Sequence, residues 1–379
     1  LLVKLRPGAT LPKLAGITPL RNVPHIGWQV VGVRGALAPA IAQLRALPSV
    51  LAVEPQQLEH LGKTASRRML GAAPPAPEPH RFDDPDLAKN DRNFDRLEME
   101  KAWAITTGAP SQVVAILDTG IDPNHPDLKD HLVPGYNFVA NTPNPRDDFS
   151  HGTACAGVVA ATANNGVGSC GIAPGVRIMP VKVLDHLGNG PLETAARGLV
   201  WAADHGATIA SMSFGQDQPS QALDDAIAYA RAKNVVVIAA MGNDGEEVVK
   251  HWPADSAGVL AVGATYDDDT PALFTTAGDW VGVAAPGTQI WTTMPTYQVP
   301  PSVVQDDFHE NYYYFSGTSA AAPVVAGVAA LIRTKFPQLN EAQVRDRLEK
   351  TADDVGAKGF DNLTGHGRVN AYRALTDAL

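Results

Sequence analysis

The chain has 379 residues, a formal net charge of −10 at pH 7 and a sequence pI of about 5.5. These values argue against a nucleic-acid-binding protein, because phosphate recognition requires clustered Lys and Arg side chains and the sequence has no such cluster. The longest apolar runs, such as residues 324–332, are shorter than the roughly 20 residues that a membrane span requires. We therefore expect neither nucleic acid nor a membrane as a partner.

The first 61 residues predict a small α+β domain. The strand-like runs LLVKL, GWQVVGV and VLAVEP accompany one amphipathic helix pattern, LAPAIAQLRAL. Residues 62–83 include the proline-rich stretch AAPPAPEP, which favours an extended linker because proline cannot continue a helix or donate within a sheet. The chain therefore divides into a domain at 1–61, a linker at 62–83 and a large domain at 84–379.

The large domain alternates apolar runs with helical patterns. The runs are VVAIL at 113–117, IMPVKVL at 178–184, TIASMSF at 208–214 and VVVIAAM at 235–241. Continuous apolar strands separated by helices are typical of an α/β fold with a doubly wound parallel sheet that is covered on both faces. Catalytic groups in such folds collect at the carboxyl ends of the strands.

Three polar residues stand at positions where this fold gathers chemistry. Asp118 ends the run VVAIL-D, His151 opens a run of small residues, and Ser319 opens a long apolar helix pattern. Taken singly, each has an ordinary structural interpretation as a turn residue, a core histidine or a helix N-cap. Together they have the side-chain types of a Ser-His-Asp triad, in which a carboxylate orients an imidazole that accepts the serine proton.

The motifs around these residues resemble the subtilisin-like serine protease (subtilase) family. DTGID, HGTACAG and GTSAAAP occur in that order, and the resemblance extends from about Asp84 to the terminal GHGRVNAYRAL. It implies a serine endopeptidase, a hydrolase of polypeptide substrates, with Ser319 as nucleophile, His151 as general base and Asp118 as its orienting carboxylate. It also implies that Asn243, in AAMGN, donates to the oxyanion; its structural alternative is a turn residue.

Two glycine-containing segments resemble the family's substrate-binding edges, which bind an extended peptide by strand addition. They contribute Gly188, Asn189 and Gly190 from LGNG, and Ser213, Phe214 and Gly215 from SMSFG. His251, before Trp252 and Pro253, corresponds to the floor of the pocket for the residue that precedes the scissile bond, or is an exposed loop histidine. With Phe214 lining the pockets, we expect broad specificity favouring an apolar or aromatic residue at that position.

The segment ATANNGVGSCG resembles the family's calcium loop, so the resemblance implies a structural Ca²⁺ ion. Oxygen ligands suit this hard cation. The implied ligands are the carbonyls of Thr162, Val167 and Ser169, the side chain of Asn165, and the carboxylates of Asp127 and Asp84. Asp83 or Asp86 is an alternative to Asp84, and the acidic run 267–269 is either a further ion site or, as we favour, a solvated turn.

Residues 1–61 resemble the family's amino-terminal propeptide, a ferredoxin-like unit that assists folding and inhibits the enzyme until it is cut off. Aligning VEPQQLEHL with the end of such propeptides predicts cleavage after Leu61 by the enzyme itself, with Leu58 in a second apolar pocket. The bond after Leu70 is the alternative. A secreted, monomeric zymogen is expected, with its own propeptide as an intramolecular inhibitor.

Other interpretations remain open at the level of sequence. The chain can be a catalytically silent module with this fold, or a sedolisin-type peptidase with a glutamate base, although HGT argues against the latter. Cys155 matches a free buried cysteine of some family members, while a disulfide with Cys170 is conceivable. A cysteine nucleophile is disfavoured, because neither cysteine has a second histidine motif. The segment 299–315 is a longer insertion than the family usually has and can form a rim.

Overall fold

The computed structural model describes residues 1–62, 81–245, 248–299 and 311–379. The proline-rich linker, the alternative cleavage point at Leu70 and most of the 299–315 insertion lie outside these residues. The described strands are β1 (Leu2–Leu5), β2 (Ile17–Val23), β3 (Trp28–Val33), β4 (Val50–Glu54), β5 (Leu58–His60), β6 (Val113–Asp118), β7 (Tyr136–Asn137), β8 (Arg177–Lys182), β9 (Asn189–Pro191), β10 (Ile209–Met212), β11 (Val236–Ala240), β12 (Leu260–Thr265), β13 (Val281–Pro286), β14 (Ile290–Thr293) and β15 (Tyr312–Phe315).

Nine α-helices are formed by the described residues. They are α1 (Leu37–Arg45), α2 (Asp91–Arg96), α3 (Met99–Ile105), α4 (His151–Ala160), α5 (Leu192–Asp204), α6 (Gln221–Ala232), α7 (Thr318–Lys335), α8 (Glu341–Lys350) and α9 (Ala371–Thr376). A 3₁₀ turn at Leu87–Asn90 precedes α2. Among these helices, none is both long enough and apolar enough to cross a membrane.

The N-terminal unit is an antiparallel sheet with strand order β2-β3-β1-β4 and one helix on one face. Successive side chains of each strand point to opposite faces of this sheet. On one face Val3, Val31 and Val53 pack with α1 residues, and on the other Leu2 and Trp28 pack into the core of the large domain. The strand order is ferredoxin-like, but a full ferredoxin-like unit has two helices. Residues 6–16 form no helix here, because prolines and glycines interrupt the segment.

The large domain is built on a seven-stranded parallel sheet with order β13-β12-β11-β10-β6-β8-β7. Alternate residues of β6 enter different cores: Val114 and Ile116 pack with α4 and α7, whereas Ala115 and Leu117 pack with α5 and α6. Burial on both faces explains why the strands read as continuous apolar runs. The predicted doubly wound arrangement is present, and the strand order switches direction at β6.

The N-terminal unit docks on α5 and α6. The Asp225 carboxylate accepts from Lys4 Nζ and Trp28 Nε1, both at 2.6 Å. The Glu54 carboxylate accepts from the Ser220 hydroxyl at 2.9 Å and the Gln221 amide at 2.8 Å, at the start of α6, where the helix dipole favours a negative charge. These contacts direct the segment after β4 toward the carboxyl ends of the central strands.

Candidate active site

Asp118, His151 and Ser319 meet at the switch point of the sheet. Asp118 ends β6, His151 is the first residue of α4, and Ser319 is the second residue of α7. His151 Nδ1 lies 2.9 Å from each carboxylate oxygen of Asp118. The carboxylate, itself only 1% exposed, thereby selects the imidazole tautomer with a proton on Nδ1 and leaves Nε2 as the free base.

The Cys155 thiol lies beneath these three residues. Its Sγ is 3.7 Å from Asp118 Oδ2, 3.8 Å from His151 Nδ1 and 3.6 Å from the Ser319 carbonyl. Asp118, His151 and Cys155 are close enough to bind one metal ion, but burial raises the pKa of the thiol well above its ordinary value, and metals bind the thiolate. Cys155 and Cys170 are both free, so the alternative of a disulfide is wrong.

The Ser319 hydroxyl donates to the Ser213 carbonyl at 3.2 Å rather than to the imidazole, among the contacts of the described residues. The Asn243 amide is held by its oxygen, which accepts from the Thr318 amide and hydroxyl, both at 2.9 Å. Its Nδ2 faces the cleft, because a Cβ atom added at Gly62 would lie 3.9 Å from that nitrogen. Thr318 therefore orients the N–H donor of Asn243 toward the cleft.

Asp147 positions the histidine, and the sequence analysis did not identify it. Its two oxygens, buried with the residue at 1% exposure, accept from the Phe149 and Ser150 amides, the Thr119 hydroxyl, and the amide and hydroxyl of Thr153. One carboxylate thus ties the first turn of α4 to the residue after β6. A carboxylate four residues before a helix start is a recognisable N-terminal signal, but it does not distinguish Asp147 from the adjacent Asp148.

Residues 57–62 lie as an extended strand in a groove that runs past the triad. This groove lies between β9 and the segment 213–215. β5 pairs antiparallel with β9, and its His60 exchanges two 3.0 Å backbone hydrogen bonds with Gly215. Leu61 donates to the Gly188 carbonyl at 3.1 Å. A Cβ atom added at Gly188 would lie 2.9 Å from Leu61 Cδ1, so glycine permits this approach.

The register of this strand corrects the sequence alignment by one residue. Leu58, expected in a second apolar pocket, is 62% exposed, whereas Glu59 is fully buried opposite Gly190. Gly62, not Leu61, lines the cavity beside Ser319. Because side chains alternate along a strand, a shift of one residue exchanges every inward and outward side chain.

The cavity beside Ser319 is nearly filled by a histidine. His251 is 8% exposed and lines it together with Phe214 and Asn243, among others. The alternative of an exposed loop histidine is therefore wrong. About 20 Å³ of free space remains, which is room for about one water molecule. The imidazole thus lies where the sequence predicts space for an apolar or aromatic side chain.

The calcium loop expected at 162–169 lies against two carboxylates. Asp84 accepts from the Asn164 and Asn165 amides at 2.9 and 3.1 Å. Asp127 accepts from Asn165 Nδ2 at 2.5 Å and from the Tyr312 hydroxyl at 2.9 Å. The structure therefore brings Asp84, Asp127 and Asn165 together. Of the two alternatives to Asp84, Asp83 is exposed and the Asp86 carboxylate lies 2.8 Å from Lys89 Nζ.

The donor set of this loop fits a hard cation. Burial raises the pKa of Asp127 to about 6, and the negative charge of Asp84 adds to the effect. A bound divalent cation would favour the ionised form of both groups. Thr162 is fixed nearby, since its amide and hydroxyl donate to the Asp127 carbonyl at 3.0 and 2.8 Å. Val167 and Ser169 lie in the same loop.

The acidic run 267–269 forms the expected turn: Asp268 is exposed, and its two neighbours form ion pairs. Asp267 pairs with Arg92 at 2.6 Å, and Asp269 pairs with Arg368 at 2.7 Å. Because the partners lie on α2 and near the C-terminus, these pairs connect distant parts of the chain. No sequence pattern identifies such partners, since they are separated by 99 residues or more.

Comparison with known proteins identifies relatives of this chain. Residues 110–367 match the profile of the Subtilase family. The chain is 40% identical over 275 residues to the thermophilic serine proteinase of Bacillus sp. (strain AK1), covering 73% of this chain and 64% of that protein. It is 38% identical over 292 residues to thermitase of Thermoactinomyces vulgaris, covering 77% of this chain and 98% of thermitase.

A solved structure extends the likeness to nearly the whole chain. Fervidolysin from Fervidobacterium pennivorans, described as a keratinolytic enzyme related to subtilisin, superposes with a TM-score of 0.83 at 30% identity. The superposition covers 96% of this chain and 58% of fervidolysin. Residues 84–379 alone make up less than 96% of the chain, so the superposition also includes much of the N-terminal unit. The predicted family and the fold of the large domain are confirmed.

Proposed function

The chain belongs to the subtilase family of serine endopeptidases, and we propose that it hydrolyses polypeptides with Asp118, His151 and Ser319 as its catalytic triad. The observation that carries this proposal is the 2.9 Å contact of His151 Nδ1 with both oxygens of Asp118 at the strand end where Ser319 begins its helix. A hydroxyl, an imidazole and a carboxylate are the groups that acyl transfer requires.

The reaction follows from the roles of these groups. The Ser319 hydroxyl turns from the Ser213 carbonyl to His151 Nε2, attacks the scissile carbonyl and passes its proton to the imidazole. Asp118 stabilises the resulting imidazolium, which then protonates the leaving amine. Water that gives its proton to His151 next cleaves the acyl ester on Ser319, which releases the second product and restores the serine hydroxyl. The Asn243 amide and the Ser319 backbone N–H stabilise the oxyanion; Thr318 supports this assignment, since it holds the amide oxygen away from the cleft.

Substrate binds as an added strand in the groove between β9 and the segment 213–215. The chain's own residues 57–62 support this, because they occupy that groove through backbone hydrogen bonds to Gly188 and Gly215. Residues 1–62 act as an inhibitory propeptide, and the enzyme cuts itself after Gly62. That bond follows from the register, which brings Gly62 beside Ser319 and Asn243. The mature enzyme is a secreted monomer, as the family resemblance implies.

A structural Ca²⁺ ion belongs to this proposal. Asp84, Asp127 and Asn165 would hold it with the carbonyls of Thr162, Val167 and Ser169. When bound, the ion neutralises two neighbouring carboxylates and stabilises the loop after α4. The raised pKa of Asp127, caused first by its burial, supports the need for a cation there.

Labelling with a fluorophosphonate tests the catalytic assignment. We expect Ser319 to be labelled in the self-processed protein and not in Ser319→Ala, because only an activated serine reacts. Ser316→Ala is the matched control: this serine precedes the same helix, and its hydroxyl accepts from the Gln289 amide. Absence of labelling in the wild type would instead support a catalytically silent module.

A further inference from the structure

The side chain of His251 occupies the space between the two walls of the cavity beside Ser319. One wall is the segment 213–215 and the other is the segment 240–242. A Cβ atom added at Gly215 would lie 3.8 Å from His251 Nδ1, and one added at Gly242 would lie 2.5 Å from His251 Cδ2. The imidazole therefore faces one wall with each edge, and its neighbours on both sides are glycines that leave room for it.

Two carboxylates fix this ring. His251 Nε2 lies 2.5 Å from Asp244 Oδ2, and Nδ1 lies 3.5 Å from Asp217 Oδ1. The His251 and Asp244 side chains are only 10% and 12% exposed, whereas Asp217 is 65% exposed. Asp244 is itself anchored, since its amide donates to the Thr276 hydroxyl at 3.1 Å. Moving the ring would leave Asp244 without this contact, which is costly for a mostly buried carboxylate.

The chain's own strand matches the space that remains. Two residues of the docked strand, His60 and Gly62, line this cavity, and Gly62 has no side chain; the free volume of about 20 Å³ holds about one water molecule. The larger neighbour Leu61 instead contacts the position of Gly188. The docked strand is held by backbone hydrogen bonds of His60 and Leu61, and Gly62 adds no side chain to the cavity.

We infer that His251 is a specificity-determining residue that restricts cleavage to peptide bonds preceded by glycine or another small residue. This inference rests on the proposed function, because it concerns the substrate at the same site. Strand addition binds the peptide backbone whatever its side chains, so a small residue is accepted there. A leucine or phenylalanine side chain overlaps the imidazole and is rejected by that clash.

The test uses internally quenched peptides that are identical except for Gly, Ala, Leu or Phe before the scissile bond. For the self-processed wild type we expect kcat/KM for the better of Gly and Ala to exceed that for Phe by roughly 100-fold, within the range that pocket shape can supply. His251→Ala opens the cavity and should raise the Phe-to-Ala ratio of kcat/KM at least tenfold. His205→Ala, on an exposed histidine after α5, should leave every ratio unchanged.

Two results would overturn the inference. The first is a wild type that cleaves after Phe as well as after Ala, a result that needs no variant and so does not depend on the folding of one. The second is His251→Ala, with an unchanged melting temperature, showing the wild-type ratio. Failure of the proposed function looks different: no peptide is cleaved and a fluorophosphonate does not label Ser319.

Discussion

Docking of the N-terminal unit should weaken as pH rises, because it buries the carboxyl group of Glu59. Glu59 is fully buried, and both of its oxygens are without a hydrogen-bond partner among the described residues. Burial raises the pKa of this group well above its ordinary value. An ionised carboxylate without a partner is too costly to bury, so Glu59 must be protonated to remain in the groove.

The sign and the size follow from linkage. A free glutamate has a pKa of about 4.3, and docking raises it. The stabilisation of the docked state is therefore complete below about pH 4.3 and is lost as the pH rises from there to the docked pKa. Within that interval each pH unit favours release of the strand by up to tenfold, or about 1.4 kcal/mol.

The assay uses the full chain with Ser319→Ala, which keeps it uncut. A fluorescent peptide enters the groove only when residues 57–62 have left it, so its apparent Kd falls as the open fraction grows. We expect the apparent Kd, measured by fluorescence anisotropy, to fall at least tenfold between pH 5 and pH 7. Added Glu59→Gln should abolish most of this dependence, because the amide cannot ionise.

Two further variants separate Glu59 from its neighbours. Glu54→Gln loses charge-assisted hydrogen bonds to Ser220 and Gln221, so it should loosen docking at every pH and keep the slope. His60→Gln tests the other titratable side chain of β5. A third carboxylate nearby, that of Glu193 on α5, forms ion pairs with Arg21 and Arg197 within 3.4 Å. A pH slope that survives in Glu59→Gln and disappears in His60→Gln would refute the assignment to Glu59.

Three further predictions concern the site itself. Asn243→Ala should lower kcat by about 10² to 10³, the usual effect of removing one oxyanion donor. A change below tenfold would remove Asn243 from the oxyanion site. Chelation should lower the melting temperature of the Ser319→Ala chain, because an ion at 100 times its Kd adds about 2.7 kcal/mol to the free energy of unfolding. Asp127→Asn should abolish this sensitivity to chelation. Equal melting temperatures with and without chelator would argue against the ion. Mass spectrometry of the mature chain should find an amino terminus created by cleavage after Gly62. A mature chain that begins with Gly62 would instead show that cleavage occurs after Leu61.

The sequence by itself determined the sheet and the three polar residues that meet at its switch point. Strands buried on both faces must be apolar at every position, so the runs ending near Asp118 and Ser213 predicted a parallel sheet without further information. His151 and Ser319 lie in the first turns of helices that the sequence pattern also predicts. Since a doubly wound fold collects such positions at one edge of its sheet, the motifs were sufficient to bring the three residues together.

Only the tertiary structure decided which residues face the groove and what fills its cavity. The register of residues 57–62 depends on hydrogen bonds to Gly188 and Gly215, more than a hundred residues away, and a shift of one residue exchanges Leu58 for Glu59. For His251 the sequence allowed either the pocket floor or an exposed loop, and its burial beside Asp244 decided for the pocket. The choice among neighbouring carboxylates depends in the same way on which side chain points inward, a property of packing that short-range sequence patterns do not encode.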